Sequence, residues 1–166
     1  MNPKIERAIY IVIIIALSGV LLSLGKKKVE LENSLPMTVD ELADKMSNPK
    51  LNLQIIDVRQ YEVSEEEEDE AEETDYYTGV HIPGAIPMPD CDLEKTPEEA
   101  RPQINPYLPT IIVSKDGDPE IFQKCKKFFK FVRNLEGGMI AWDEAGYPED
   151  EGEYEPPAAG GGGGCL

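Results

Sequence analysis

Apolar residues fall along this chain in several distinct patterns, and each predicts a different element. From Ala8 to Gly25 (AIYIVIIIALSGVLLSLG) no charge interrupts 18 positions. As a helix this run would rise ~27 Å, close to the hydrocarbon thickness of a bilayer. Arg7 and Lys26–Lys28 flank it as headgroup contacts, and Tyr10 suits the interface. A cleaved signal peptide usually has a shorter apolar stretch, and Ser23 with Gly25 makes a poor cleavage site ahead of three lysines. The expectation is a flank at residues 1–7, one retained transmembrane helix at 8–25, and a polar linker at 26–36. No cysteine follows the apolar run closely enough for lipoprotein processing.

Beyond Pro36 the spacing changes. Thr38 as N-cap with Glu41 three positions on predicts a capping box, and Leu42 and Met46 follow at helical spacing. Leu53-Gln54-Ile55-Ile56-Asp57-Val58 and Thr110-Ile111-Ile112-Val113 are short apolar runs of buried-strand type. Between Pro119 and Val132, Ile121, Phe122, Cys125, Phe128, Phe129 and Val132 recur with helical period, and Lys124, Lys126, Lys127 and Lys130 take the opposite face. This predicts a helix over 119–132. A last short helix runs through Trp142. Strands alternating with helices imply an α/β domain whose sheet is mostly parallel.

Two segments stand outside this pattern. Within an insertion at 63–76, Glu65 to Asp75 (EEEEDEAEETD) holds nine acids in eleven residues, a block that cannot bury itself and reads as a mobile loop. From Glu149 to Leu166 the chain is acidic and then Pro- and Gly-rich, and is expected to be disordered.

Charge narrows the function. The net charge is −17, yet the first 28 residues carry five Lys/Arg against Glu6, a surplus of four, so the remainder stands at −21. Such a surface is repelled by nucleic-acid phosphates and by anionic headgroups. Nucleic-acid binding is excluded as the main function, and a basic protein surface or cations would be attracted. The Lys/Arg count is two before the apolar run and three clustered after it, which favours a cytoplasmic soluble domain. Cys91, Cys125 and Cys165 form neither a CxxC pair nor a zinc pattern, and a single histidine, His81, argues against a metal site. No cofactor motif is present.

Three blocks, in order, resemble the rhodanese-like superfamily over residues 37–148. Asp57-Val58-Arg59 after an apolar strand resembles its DVR. His81-Ile82-Pro83-Gly84-Ala85-Ile86 resembles its GHIPGAI, with Val80 where glycine is usual. Leu135-Glu136-Gly137-Gly138 with Trp142, Gly146, Tyr147 and Pro148 resembles its closing LxGGxxAWxxAGYP. The resemblance implies a central sheet flanked by helices. It also implies a cysteine ending the central strand, then a loop of the type C-x-x-G-x-R-S. Here the place reads Ser114-Lys115-Asp116-Gly117-Asp118-Pro119-Glu120, and Gly117 aligns Ser114 with the cysteine.

A sulfurtransferase needs a thiolate to accept sulfane sulfur, and backbone N–H groups at a helix start to hold negative charge. A serine hydroxyl is not appreciably ionised near neutral pH and forms no persulfide. Pro119 lacks an N–H, the expected arginine is absent, and Asp116, Asp118 and Glu120 bring acids to the positive end of the helix dipole. Asp118 at N-cap, Pro119 at N1 and Glu120 at N2 also make a good structural helix start. The same losses exclude the related phosphatase chemistry. The catalytic set is therefore expected to be empty.

Other residues carry plainer readings. Ser114 as a hydrolase nucleophile lacks an evident base, since His81 belongs to a structural motif. Cys125 is expected as a small buried core residue, Asp57 and Arg59 as a buried polar pair, and Trp142 as core. Acids beside Cys91 would raise a thiol pKa there, and nothing positions Cys165. The expected function is a single-pass membrane protein with an inert domain, a docking or accessory subunit of a membrane complex. The alternative is a sulfur carrier using Cys91 or Cys165. A third reading is an acidic cation buffer.

Overall fold

The computed structural model describes residues 12–20, 35–48, 51–62 and 72–157. The chain divides into two units, Met1–Leu35 and Pro36–Leu166. In the first unit residues 12–20 are helical, with Ser18 Oγ donating to the Ile14 carbonyl at 2.6 Å. The rest of the expected span 8–25 lies outside the described residues. No helix among the described residues is long and apolar enough to cross a membrane.

The second unit begins with helix α1 (Val39–Met46). Thr38 caps it, accepting the Glu41 amide at 3.3 Å. Leu42 buries its whole side chain and ties the helix to the core. The reciprocal half of the expected capping box is not made. The Glu41 carboxylate instead takes a two-pronged bond from Arg133 at 2.6 and 2.9 Å. A paired guanidinium is the stronger partner for a carboxylate than one backbone amide.

Strands β1 (Gln54–Asp57), β2 (Ile86–Pro87), β3 (Pro109–Val113) and β4 (Phe131–Asn134) form one sheet in the order β2-β1-β3-β4. All three pairings are parallel. The two central strands are buried on both faces, which is why they read as continuous apolar runs. Ile55 and Ile111 enter one core with Leu42, Leu135 and Trp142. Ile56 and Ile112 enter the other with Met88, Cys125 and Phe129. Helices α2 (Pro119–Cys125) and α3 (Gly138–Glu144) complete the fold.

The helix expected over 119–132 stops at Cys125. The Phe128 and Phe129 amides both turn back to the Cys125 carbonyl, and the chain then enters β4. Cys125, Phe129 and Val132 share one core, so their spacing mimics a helix although a turn and a strand deliver it. Burial gives no preference between the two, whereas the open edge of β3 gains a hydrogen-bonded partner.

Two further differences concern the acidic segments. Of the insertion, residues 63–71 lie outside the described set. Glu73–Asp75 form a 3-10 turn, and Tyr76 bridges Gln60. Residues 149–157, expected to be disordered, lie against the domain. Asp150 and His81 exchange both backbone hydrogen bonds at 2.8 and 2.9 Å, and the Gly152 amide donates to the Thr78 carbonyl. The Tyr154 amide donates to the Tyr61 hydroxyl at 3.0 Å, and its ring packs on the core. Asp150, Glu151, Glu153 and Glu155 stay exposed, Glu149 is half-buried, and backbone and one aromatic carry the docking. Residues 158–166 lie outside the described set.

Cys91 and Cys125 are joined as a disulfide across 34 residues of sequence, with Cα atoms 5.3 Å apart. Cys125 is buried as expected, but its sulfur is bonded to Cys91, so the thiol considered at Cys91 is not free. Closing a loop of that length restricts the unfolded chain by about 4 kcal/mol in chain-entropy terms.

The docking of residues 149–157 predicts that Tyr154→Ala exposes them. Limited proteolysis by a glutamate-directed protease should cut at Glu151, Glu153 or Glu155 faster than in the parent chain, leaving the core fragment intact.

Candidate active-site loop

The loop grows from the end of the central strand. β3 ends at Val113, and residues 114–118 carry the chain into α2. Ser114 is 4% exposed. Its hydroxyl oxygen accepts the Asp118 amide at 2.8 Å. Its carbonyl accepts the Met139 amide at 2.8 Å, and the Lys115 carbonyl accepts that of Ile140 at 3.0 Å. The start of α3 is thereby bonded to the loop. Asn134 adds a bond from its side-chain amide to the Gly117 carbonyl at 2.7 Å.

This contact explains the paired glycines. A Cβ on Gly138 would lie 2.2 Å from the Ser114 carbonyl oxygen and 2.6 Å from the Gly117 nitrogen. Gly117 itself has φ +82, and a Cβ there would lie 2.9 Å from the Gly137 nitrogen. Glycine alone permits this approach of two backbones.

At the start of α2, Asp118 accepts the Glu120 amide at 2.7 Å, with Pro119 at the first helical position and Glu120 in the first turn. Two amides at the helix start are therefore satisfied by the chain's own oxygens, and a third N–H is absent. The expected helix start is the one observed.

Beside the loop lies a cavity of about 180 Å³, whose lining includes Arg59, Asp75, Asp90, Ser114, Lys115 and Asp118. Asp116 and Ile121 also reach it. Its cations are committed. Lys115 pairs with Asp75, and the hydrogen bond from Lys115 holds the Asp75 carboxyl below its usual range. The same bond raises the Lys115 pKa. Lys95 pairs with Asp90 and lowers the Asp90 pKa in the same way. Asp75, Asp90 and Lys95 were not singled out in the sequence. Their placement depends on chain paths that no local spacing reveals.

Arg59 is bound to the fully buried Asp57 at 2.5 Å. Its Nη1 donates to the Thr74 carbonyl, and Nη2, which also bonds Asp57, donates to the Val80 carbonyl, both at 2.7 Å. The pair thus pins the returning segment 74–80 to the end of β1, the structural role expected of it. Among the described residues no cluster suits a metal ion.

The remaining motif residues have structural partners of their own. His81 Nδ1 lies 3.0 Å from the Tyr77 carbonyl, and its ring stacks on Tyr77 at 4.0 Å. It lines a different cavity, with Tyr77 and Asp150. Burial lowers the His81 pKa, against the opposing hydrogen bond to Tyr77. Pro83 and Gly84 make the turn before β2, with Gly84 at φ +74. Gly137 at φ +72 precedes α3. The buried Trp142 donates its indole N–H to the Pro148 carbonyl at 3.0 Å. His81, the chain's one histidine, is engaged with Tyr77 and does not line the Ser114 cavity.

A family model described as rhodanese-like domain matches residues 38–145. Solved structures of similar fold include the thiosulfate sulfurtransferase from Pseudomonas aeruginosa, at 22% identity and TM-score 0.51, covering 72% of this chain and 20% of that one. The 3-mercaptopyruvate sulfotransferase SseA from Escherichia coli matches at 23% identity and TM-score 0.52, over 75% of this chain and 54% of its own. The Alr3790 protein from Anabaena sp. matches at 22% identity and TM-score 0.50, over 69% and 80%. This chain thus spans a fifth of the first protein and about half of the second, and the likeness is one of fold. No match is found among curated proteins.

Two predictions follow from this geometry. Arg59→Leu leaves the Asp57 carboxylate buried without its partner and should cost about 3–5 kcal/mol in urea denaturation. His81 is held neutral by burial, so its folded pKa lies below the unfolded value of about 6.5. Its contribution is present above that value and is lost as pH falls through the folded pKa. Lowering the pH from about 7 to 5 should reduce the urea midpoint more in the parent chain than in His81→Gln. Proton NMR should give the ring a midpoint below the ordinary histidine range.

Proposed function

The chain belongs to the rhodanese-like domain family, and from that premise we propose that it is a catalytically inactive, membrane-anchored member acting as a docking or accessory subunit of a membrane protein complex. The observation that carries this reading is the Ser114 hydroxyl accepting the Asp118 amide at 2.8 Å, at the place where the family resemblance puts the cysteine. An oxygen there accepts no sulfane sulfur. Thiosulfate or a persulfide would also meet Asp116, Asp118 and Asp90 on the cavity wall, with both nearby cations already paired.

In this reading residues 8–25 are the anchor, supported by their uninterrupted apolar sequence and basic flanks. The domain's side of the membrane draws two opposed arguments. The lysine cluster favours the cytoplasm by a single residue. The disulfide favours a compartment without the cytosolic reductants. We keep the cytoplasmic face that the lysine cluster favours.

The competing reading, a sulfur carrier, is weakened at Cys91, whose sulfur is engaged with Cys125. Cys165 lies outside the described residues. Partners remain those the charge selects: the bilayer through the anchor, a basic protein surface through the acidic domain, and no nucleic acid.

The test is a thiosulfate:cyanide sulfurtransferase assay on the full chain. We expect no turnover above the uncatalysed rate. We also expect Ser114→Cys alone to restore little, because the acids around the cavity remain. Parent-chain turnover that disappears when one cysteine is replaced would overturn the proposal.

A further inference from the structure

The disulfide is part of the cavity's frame. Cys91 ends the short turn Pro89–Cys91 that follows β2. Cys125 ends α2, the helix that grows out of the loop. Asp90 and Ile121, one from each of these elements, both line the cavity. The bond therefore joins two elements that each contribute to the cavity lining.

The backbone at this tie is held in an unusual state. Asp90 and Cys91 are consecutive non-glycine residues at φ +55 and +53, the only such residues among those described. Left-handed backbone is disfavoured for L side chains and persists where the surroundings enforce it. Three restraints act here: the hydrogen bonds of the Asp90 and Cys91 amides to the Val58 and Met88 carbonyls, the Asp90–Lys95 ion pair, and the covalent link to Cys125. The first two are non-covalent, and the ion pair is partly open to water.

The two sulfurs differ in access. Cys125 has no exposure, whereas Cys91 is half-buried. An attacking thiolate reaches the Cys91 sulfur first, with Cys125 as the leaving group.

We propose that Cys91–Cys125 is a redox site whose state sets the shape of the loop cavity, and that its co-reactant is a dithiol. One thiolate of the dithiol attacks Cys91 Sγ. The S–S bond breaks, and Cys125 leaves as a thiolate and takes up a proton. The second thiol of the reductant then displaces Cys91 from the mixed disulfide. Two electrons pass to the protein, which ends with two thiols, and the reductant ends as a disulfide. Without the link, Asp90 and Cys91 relax from the left-handed region, and the Asp90 wall moves away from Ile121. Oxidised, the cavity keeps its acidic wall in place; reduced, that wall is free to yield to a partner. The inference holds whether or not the domain catalyses sulfur transfer.

The experiment is hydrogen–deuterium exchange with mass spectrometry on the full chain in detergent, before and after treatment with dithiothreitol. Intact mass after alkylation under denaturing conditions reports the state of each cysteine. Reduction should speed amide exchange in peptides spanning 86–95 and 114–126 by about ten-fold or more, with 54–57 and 110–113 unchanged. The Cys91→Ser, Cys125→Ala double variant should show the fast pattern without reductant, and dithiothreitol should not change it further. The proposal is overturned if alkylation finds Cys91 and Cys125 unlinked under non-reducing conditions. It is overturned equally if exchange is the same in both states, or if the whole domain speeds up together, which would make the bond a general staple.

Discussion

The interaction on which the site depends is the hydrogen bond from the Asp118 amide to the Ser114 hydroxyl. It closes the turn at the end of β3 upon itself. Because the Ser114 carbonyl is bound at the same time by the Met139 amide, the turn cannot open without disturbing the start of α3. Gly138 makes that junction possible, since no side chain fits against the Ser114 carbonyl. The loop is therefore a closed hydrogen-bonded unit rather than a waiting receptor at the positions of Asp118 and Glu120. A helix start attracts anions because its first amides lack partners. Here two have partners from within the chain, and proline removes another.

Electrostatics reinforces this arrangement. A strongly acidic chain has few cations to spend, and around the cavity they are spent on its own carboxylates. Arg59 holds Asp57, Lys115 holds Asp75, and Lys95 holds Asp90. The Arg59–Asp57 pair is buried and fastens the segment after the acidic insertion, so it serves the fold. The two lysine pairs are more exposed, and their worth lies in fixing charge positions rather than in stability. A cavity built this way offers an incoming anion little that is not already engaged. That is the physical content of the inactive reading.

Much of this was legible in the sequence, for reasons that differ by element. Ile55-Ile56 and Ile111-Ile112 announced two central strands because burial on both faces needs consecutive apolar residues. The cap at Thr38 and the helix start at Asp118-Pro119-Glu120 were legible because capping is local chemistry. Sequence reading failed where the deciding contact is remote. β4 was absorbed into a helix because Cys125, Phe129 and Val132 satisfy helical spacing while the partner that makes Phe131–Asn134 a strand lies on β3. Glu41 was assigned to its own helix, whereas its partner Arg133 is 92 residues away. Residues 149–157 looked too polar to order, yet backbone bonds to His81 and Thr78 hold them. The Cys91–Cys125 link spans 34 residues with no motif to signal it.

The central claim is that the Asp118 and Glu120 amides are already occupied, so that sulfur-bearing anions find no seat at the helix start. The most direct measurement is a nitrogen–proton NMR titration of the full chain with thiosulfate, against chloride at matched ionic strength. The account predicts that the amide resonances of Asp118 and Glu120 move no further with thiosulfate than with chloride. Saturable shifts centred on residues 114–120, seen with thiosulfate alone, would contradict it.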